Sequence, residues 1–203
     1  MLYERYECLN AVKNEIEKAI EMIVEMYYNN GKLLLCGNGG SCADCDHIVG
    51  ELMKGFTLQR KLKVEDVNKF KEAYEDGEFM AENLQYGIQA ISLPSQTAVC
   101  TAFLNDVEPS MLYAQLAYAY ARPNDVLIGL STSGNSKNVV NAVKAAKIKG
   151  IKTIGFTGAK ESKLSELCDI TIKVPETETY KVQELHLPVY HYICECVEKR
   201  LFD

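Results

Sequence analysis

His47 and Glu51 stand four residues apart in a stretch, 42–54, whose pattern predicts a helix. At that spacing an imidazole and a carboxylate leave the same helix face and reach a single ion or a single substrate. The pair suits a metal centre or general acid–base chemistry, and it equally suits a solvated pair on an exposed face. A second group with chemical capacity is Ser131, Thr132, Ser133, Gly134, Asn135 and Ser136. It follows the apolar run 127–130 and precedes NVVNAVKAAKIKG, which keeps helical spacing up to Gly150. A hydroxyl-rich loop between a strand and a helix offers backbone N–H groups and side-chain donors to an anion. The loop contains no Lys or Arg, and Ser136 is placed to cap the helix.

Alone, that loop is also what an ordinary turn rich in capping residues looks like. A second loop of the same kind lies upstream. Gly37, Asn38, Gly39, Gly40 and Ser41 follow the apolar run 32–36, and successive glycines let a backbone approach a ligand closely. Neither loop is a nucleotide fingerprint. Cys42 occupies the position where G-x-G-x-x-G needs its last glycine, and no Gly-Lys-Ser/Thr follows either loop. No nucleotide cofactor is expected.

Near the end of the chain, Gln183 and His191 are polar residues eight apart in a predicted last helix, 181–202. A continuous helix separates them by about 12 Å, long for one metal ion. Either Gln183 precedes the helix proper, or Pro188 bends it, or the two residues serve sites shared between subunits. His186 falls on a different face from His191 and is expected to be structural.

The elements that must position these groups alternate between strand and helix. Apolar strand runs are expected at 32–36, 88–93, 126–130, 152–156 and 170–174, with helices at 97–103, 111–121 and 164–168 between them. The pair Asn105 and Asp106 is expected in the loop after the first of these helices. The fold class is α/β: a three-layer α/β/α sandwich on a mostly parallel sheet, with both special loops at carboxyl ends of strands. Residues 1–30 predict one long amphipathic helix that packs on its own domain or on a second subunit. Residues 58–85 are polar and charged and predict a surface insert, serving as a lid or merely solvated.

With 203 residues, one domain over 1–203 is expected. The net charge of -6 argues against a broad nucleic-acid surface, although a helix N-terminus still accommodates phosphate. MLYERYECLN is charged where a secretory leader is apolar, and no apolar run reaches the length of a membrane span, so a cytoplasmic location is expected. The eight Cys are then reduced, mostly buried thiols. Cys42 and Cys45 form a C-x-x-C at a helix start, which leaves redox chemistry as an alternative.

CGNGGS at 36–41, STSGNS at 131–136, the His47/Glu51 spacing and QELHLPVYH at 183–191 together resemble the sugar isomerase (SIS) domain family, and within it the phosphoheptose isomerases. The resemblance covers the chain except the 58–85 insert. It implies an aldose–ketose isomerase acting on a sugar phosphate, sedoheptulose 7-phosphate in the nearest group, and a homo-oligomer, most often a tetramer. It places Asn38, Gly39, Gly40, Asn105, Asp106 and Gln183 against the sugar, and Ser131, Thr132, Ser133 and Ser136 on the phosphate. It makes Glu51 and His191 the acid/base pair, Glu51 touching substrate as well. His47, Glu51, Gln183 and His191 fall on metal positions held by zinc in some members. Two positions depart from the pattern: Gly55 where members commonly carry Arg, and Tyr180 where they carry Asp. Non-catalytic relatives that bind phosphosugar or a replication initiator are the competing class. The presence of Glu51 and His191 favours the enzyme.

Overall fold

In the computed structural model, which describes residues 2–203, the chain begins with α1 (Leu2–Arg5), a 3-10 turn (Glu7–Val12) and α2 (Lys13–Tyr28). Then follow β1 (Leu33–Gly37), α3 (Gly40–Met53), α4 (Val64–Ala73), α5 (Gly77–Asn83) and β2 (Ala90–Ser92). Next come α6 (Thr97–Asp106), α7 (Leu112–Tyr120), β3 (Val126–Leu130) and α8 (Lys137–Ile148). β4 (Lys152–Thr157), α9 (Lys163–Leu167), β5 (Ile170–Lys173) and α10 (Thr179–Phe202) complete the chain.

The five strands make one parallel sheet in the order β2-β1-β3-β4-β5. All five residues of β1 and of β3 are buried, as expected of strands covered on both faces. Alternate side chains divide between two cores. Leu33, Leu35, Ile128, Ile154 and Phe156 meet α2, α3 and α10 on one side. Leu34, Cys36 and Leu127 meet α7 and α8 on the other. The strand order reverses between β1 and β3, so the loops after these two strands flank the switch point where ligands sit in such sheets.

Two expectations change, for the N-terminal helix and for Asn105 and Asp106, and two open alternatives close. The single N-terminal helix is a short helix, a 3-10 turn and a long helix; the Asn10 amide donates to the Glu7 carbonyl and competes with the regular ladder. Met1 lies outside the described residues. The apolar stripe of α2 (Ile16, Ala19, Ile20, Ile23) is buried within its own chain, so it needs no second subunit. α6 runs on through Asn105 and Asp106, which are its last two residues rather than a following loop. α10 begins at Thr179, so Gln183 lies inside it, as does Pro188. No helix among the described residues is long and apolar enough to cross a membrane.

All eight Cys are free, with Cys36, Cys45 and Cys194 buried and only Cys8 exposed. Burial raises the thiol pKa values of Cys42 and Cys45, the reverse of an activated C-x-x-C.

His186 is fully buried on α10 and edge-on to Phe156. Its Nε2 lies 3.4 Å from the Thr157 carbonyl oxygen, and its Nδ1 has no partner. Burial lowers its pKa from 6.5 to about 4. Between those two pH values the unfolded chain takes up a proton that the folded chain refuses. Stability is therefore unaffected by this group above pH 6.5 and falls on acidification, by about 1.4 kcal/mol per pH unit. Urea unfolding at pH 7 and pH 5 should show wild type losing about 2 kcal/mol more than His186→Leu. Equal losses would mean that the folded protein protonates His186.

Candidate active site

α3 and α10 run side by side and bring His47, Glu51 and His191 together. His47 Nε2 lies 3.1 Å from Glu51 Oε1 and 3.2 Å from His191 Nε2. One ligand atom from each of the three lies within 4.8 Å of the others. Burial, and next the neighbouring His47, lower the His191 pKa, while Glu51 opposes the shift. Burial and His47 thus both disfavour the imidazolium, and the neutral imidazole is the form this setting favours.

Tyr190 supports the trio from below. Its buried hydroxyl stands 2.9 Å from His47 Nδ1 and 3.2 Å from Asp44 Oδ1, with one proton to give. Given to Asp44, that proton leaves His47 Nδ1–H donating to the phenol oxygen. The Nε2 lone pair then faces Glu51 and His191, the tautomer that a metal-ligating histidine needs. Given to His47, it makes Nε2–H a donor to Glu51. Two imidazoles and a carboxylate with acceptor atoms converging on one point fit a zinc-type donor set. Gln183 is not brought to that point within one chain. Its amide packs against Gly40, so closely that a Cβ there would meet Nε2 at 2.6 Å. Gly40 precedes His47 by seven residues of α3, about 10 Å of rise.

The two special loops face each other across the switch point. Asn38 and Asn138 exchange reciprocal amide hydrogen bonds of 2.9 and 2.8 Å, pinning the glycine loop to the start of α8. Asn38, Gly39 and Gly40 are exposed. In the serine loop Ser131 is buried and its Oγ lies 2.9 Å from Ser136 Oγ. Ser136 occupies the N-cap position of α8, but its hydroxyl serves Ser131 instead of the helix, so it is not the side-chain cap expected. Thr132 and Ser133 follow, Ser133 exposed. Asn105 and Asp106 bond to each other at the exposed end of α6.

Gly55, one of the departures, has a structural cause. Its N–H donates to Gln85 Oε1 at the far end of the insert, and a Cβ at 55 would meet the Leu58 carbonyl oxygen at 2.3 Å. The insert and the missing side chain thus belong together. Tyr180 is exposed at the start of α10. Asp44, Tyr190 and Asn138 escape a reading of the sequence alone. Asp44 shares the spacing i, i+3, i+7 with His47 and Glu51, which is the one local signal for it.

A parallel sheet with an anion-suited loop at its switch point and a His/Glu/His trio on the adjoining helices defines an α/β protein built to hold a ligand at the carboxyl ends of its strands. The SIS domain family matches residues 98–192 and, in a second form, residues 5–92. The phosphoheptose isomerase of Helicobacter pylori (strain P12) is 34% identical over 191 residues, covering 94% of this chain and 86% of the relative. Phosphoheptose isomerase 2 of Campylobacter jejuni is 38% identical, over 92% and 81% of the two chains. The structure of the Neisseria gonorrhoeae phosphoheptose isomerase superposes with a TM-score of 0.77 at 29% identity, over 96% of this chain and 91% of that one. The chain belongs to the SIS domain family, among its phosphoheptose isomerases.

Proposed function

We propose that the protein is an aldose–ketose isomerase that interconverts sedoheptulose 7-phosphate and D-glycero-D-manno-heptose 7-phosphate. The observation that carries this is the convergence of His47, Glu51 and His191 on one point. The interconversion moves a proton between C1 and C2 through an enediol, and so needs a base at carbon and a donor at the carbonyl oxygen. Glu51 takes the carbon-bound proton, and His191 hydrogen-bonds the oxygen on which charge develops. A neutral imidazole suits that role, because it donates without standing as a competing cation. The phosphate rests on Ser131, Thr132, Ser133 and Ser136 and on backbone N–H groups at the start of α8. Asn38, Gly39 and Gly40 line the path between the two ends, joined by Gln183. In the tautomer that turns the imidazole lone pairs inward, His47, Glu51 and His191 would instead hold a divalent metal such as zinc, which would supply the polarisation of the substrate carbonyl in place of the His191 hydrogen bond.

Incubating the protein in deuterated water with sedoheptulose 7-phosphate and a panel of pentose and hexose phosphates tests the proposal. Deuterium at C1 or C2 together with product is the expected result. Binding without exchange of any sugar phosphate would replace the enzyme with a phosphosugar sensor.

The active protein is a homo-oligomer, a tetramer by the family pattern. α6 has no buried residue and exposes Val99 and Leu104, with Val107 and Met111 beyond it. Asn105 and Asp106 lie on that same uncovered element, and Gln183 stands apart from the trio of its own chain. Light scattering should give a mass above that of a single 22.7 kDa chain at micromolar concentration, and a monomer would refute this.

A further inference from the structure

Arg60 belongs to the polar insert, yet its side chain is wholly buried and is paired with an equally buried Glu198 from near the end of α10. Arg60 Nε donates to Glu198 Oε1 at 2.8 Å. The rest of the guanidinium reaches the end of α3: Nη1 donates to the Leu52 carbonyl at 2.5 Å and Nη2 to the carbonyl of Glu51 itself at 3.2 Å. Glu198 also accepts from the Phe56, Thr57 and Leu58 N–H groups and from the Thr57 hydroxyl, at 2.6 to 3.0 Å. Phe56, held in this way, lays its ring against His191, with centroids 5.7 Å apart and planes tilted by 34°. Burial pushes the Glu198 pKa up, and these donors outweigh it, bringing it down to about 2. Glu198 follows His191 by seven residues, two turns on the same side of one helix.

One buried ion pair thus grips both halves of the proton-transfer pair. On one side it holds the backbone of Glu51, and on the other the aromatic wall of His191. We propose that Arg60 and Glu198 are positioning residues that set the placement of Glu51 relative to His191, acting through the last turn of α3 and through Phe56. The inference rests on the assignment of proton transfer to Glu51 and His191. Burying two charges is a weak way to gain stability, because desolvation offsets much of their attraction. A fork-shaped donor that meets two adjacent carbonyls and a carboxylate is, by contrast, specific in geometry, and a lysine ammonium does not reproduce it.

Arg60→Lys and Phe56→Leu test the proposal. Circular dichroism at 25 °C first establishes folding. Folded Arg60→Lys should lose about tenfold or more in kcat while its Kd for the sugar phosphate stays within about twofold. Phe56→Leu should move in the same direction by less. The protein has three histidines, so their imidazole NMR resonances are easily followed. Those of His47 and His191 should shift in both variants, while that of His186, on the other part of α10, stays. A folded Arg60→Lys with wild-type kcat and unshifted His47 and His191 resonances would overturn the proposal. If Arg60→Lys does not fold, the half-buried Phe56→Leu decides: unchanged kcat and an unshifted His191 overturn it. Should wild type isomerise no sugar phosphate at all, the proton-transfer assignment fails separately, and the imidazole spectra alone then decide whether the pair sets this geometry.

Discussion

Glu51→Gln should lower turnover by about 10²-fold or more and leave sugar-phosphate affinity nearly unchanged. General base catalysis contributes roughly 10²–10⁴-fold, and the amide keeps the size of the carboxylate while losing its basicity. The site tolerates the replacement. Glu51 is partly exposed, its neighbours are His47 Nε2 at 3.1 Å and Lys54 Nζ at 3.9 Å, and an amide meets His47 in either tautomer, its oxygen accepting from Nε2–H or its NH2 donating to the Nε2 lone pair. The proposed phosphate loop stands between β3 and α8 while Glu51 stands on α3, so ground-state binding should lose little. Deuterium wash-in at C1 or C2 reads the proton abstraction directly, and calorimetry reads the affinity. Wild-type exchange in the variant would move the base elsewhere, with the neutral His191 as the next residue to substitute. Loss of binding in parallel with loss of exchange would mean that Glu51 contributes to ground-state binding as well.

The positions of the two loops, each between a strand and a helix, are legible in the sequence because their signals are local. Glycines beside an apolar run, or hydroxyls before a helical run, mark a strand-to-helix loop within ten residues. The His47/Glu51 spacing was legible for the same reason, and the sheet followed from the alternation of elements. What crosses the chain was not legible. Gln183 and His191 could be assigned to one helix, but only packing shows that Gln183 faces Gly40 while His191 faces His47. Asn105 and Asp106 resemble a loop in composition, whereas the Asn105 amide donates to Asp106 and the helix continues through both. Arg60 was hidden most completely. A charged segment reads as solvated, and nothing near it announces a carboxylate 138 residues away. The insert does have exposed helices, and α4 buries nothing. Its base, however, is anchored: Lys61 bridges Gln85, and Gln85 holds Gly55.

Replacing Ser131 and Ser136 together by Ala should weaken sugar-phosphate binding by about 1.5–3 kcal/mol, roughly ten- to more than a hundredfold in Kd. The geometry sets that size. The two hydroxyls lie 2.9 Å apart, so one proton joins them and the other remains to donate outward to an anion. A hydrogen bond to a charged group is worth the quoted amount, and the pair supplies one such donor beyond what the backbone offers. The surrounding loop should survive the change because other groups brace it. The Ser131 N–H donates to the Phe156 carbonyl, the Gly158 N–H to that of Thr132 and the Leu164 N–H to that of Gly134. Asn135 Oδ1 accepts from the Lys163 N–H as well. The backbone N–H groups at the start of α8 therefore stay in place, and residual binding should persist and weaken with added inorganic phosphate. Turnover at saturating substrate should change far less than affinity, since the proton-transfer groups stand on other helices. Calorimetry on the double variant is the measurement. An unchanged Kd would remove the phosphate from this loop, and with it the direction in which the substrate lies along α3.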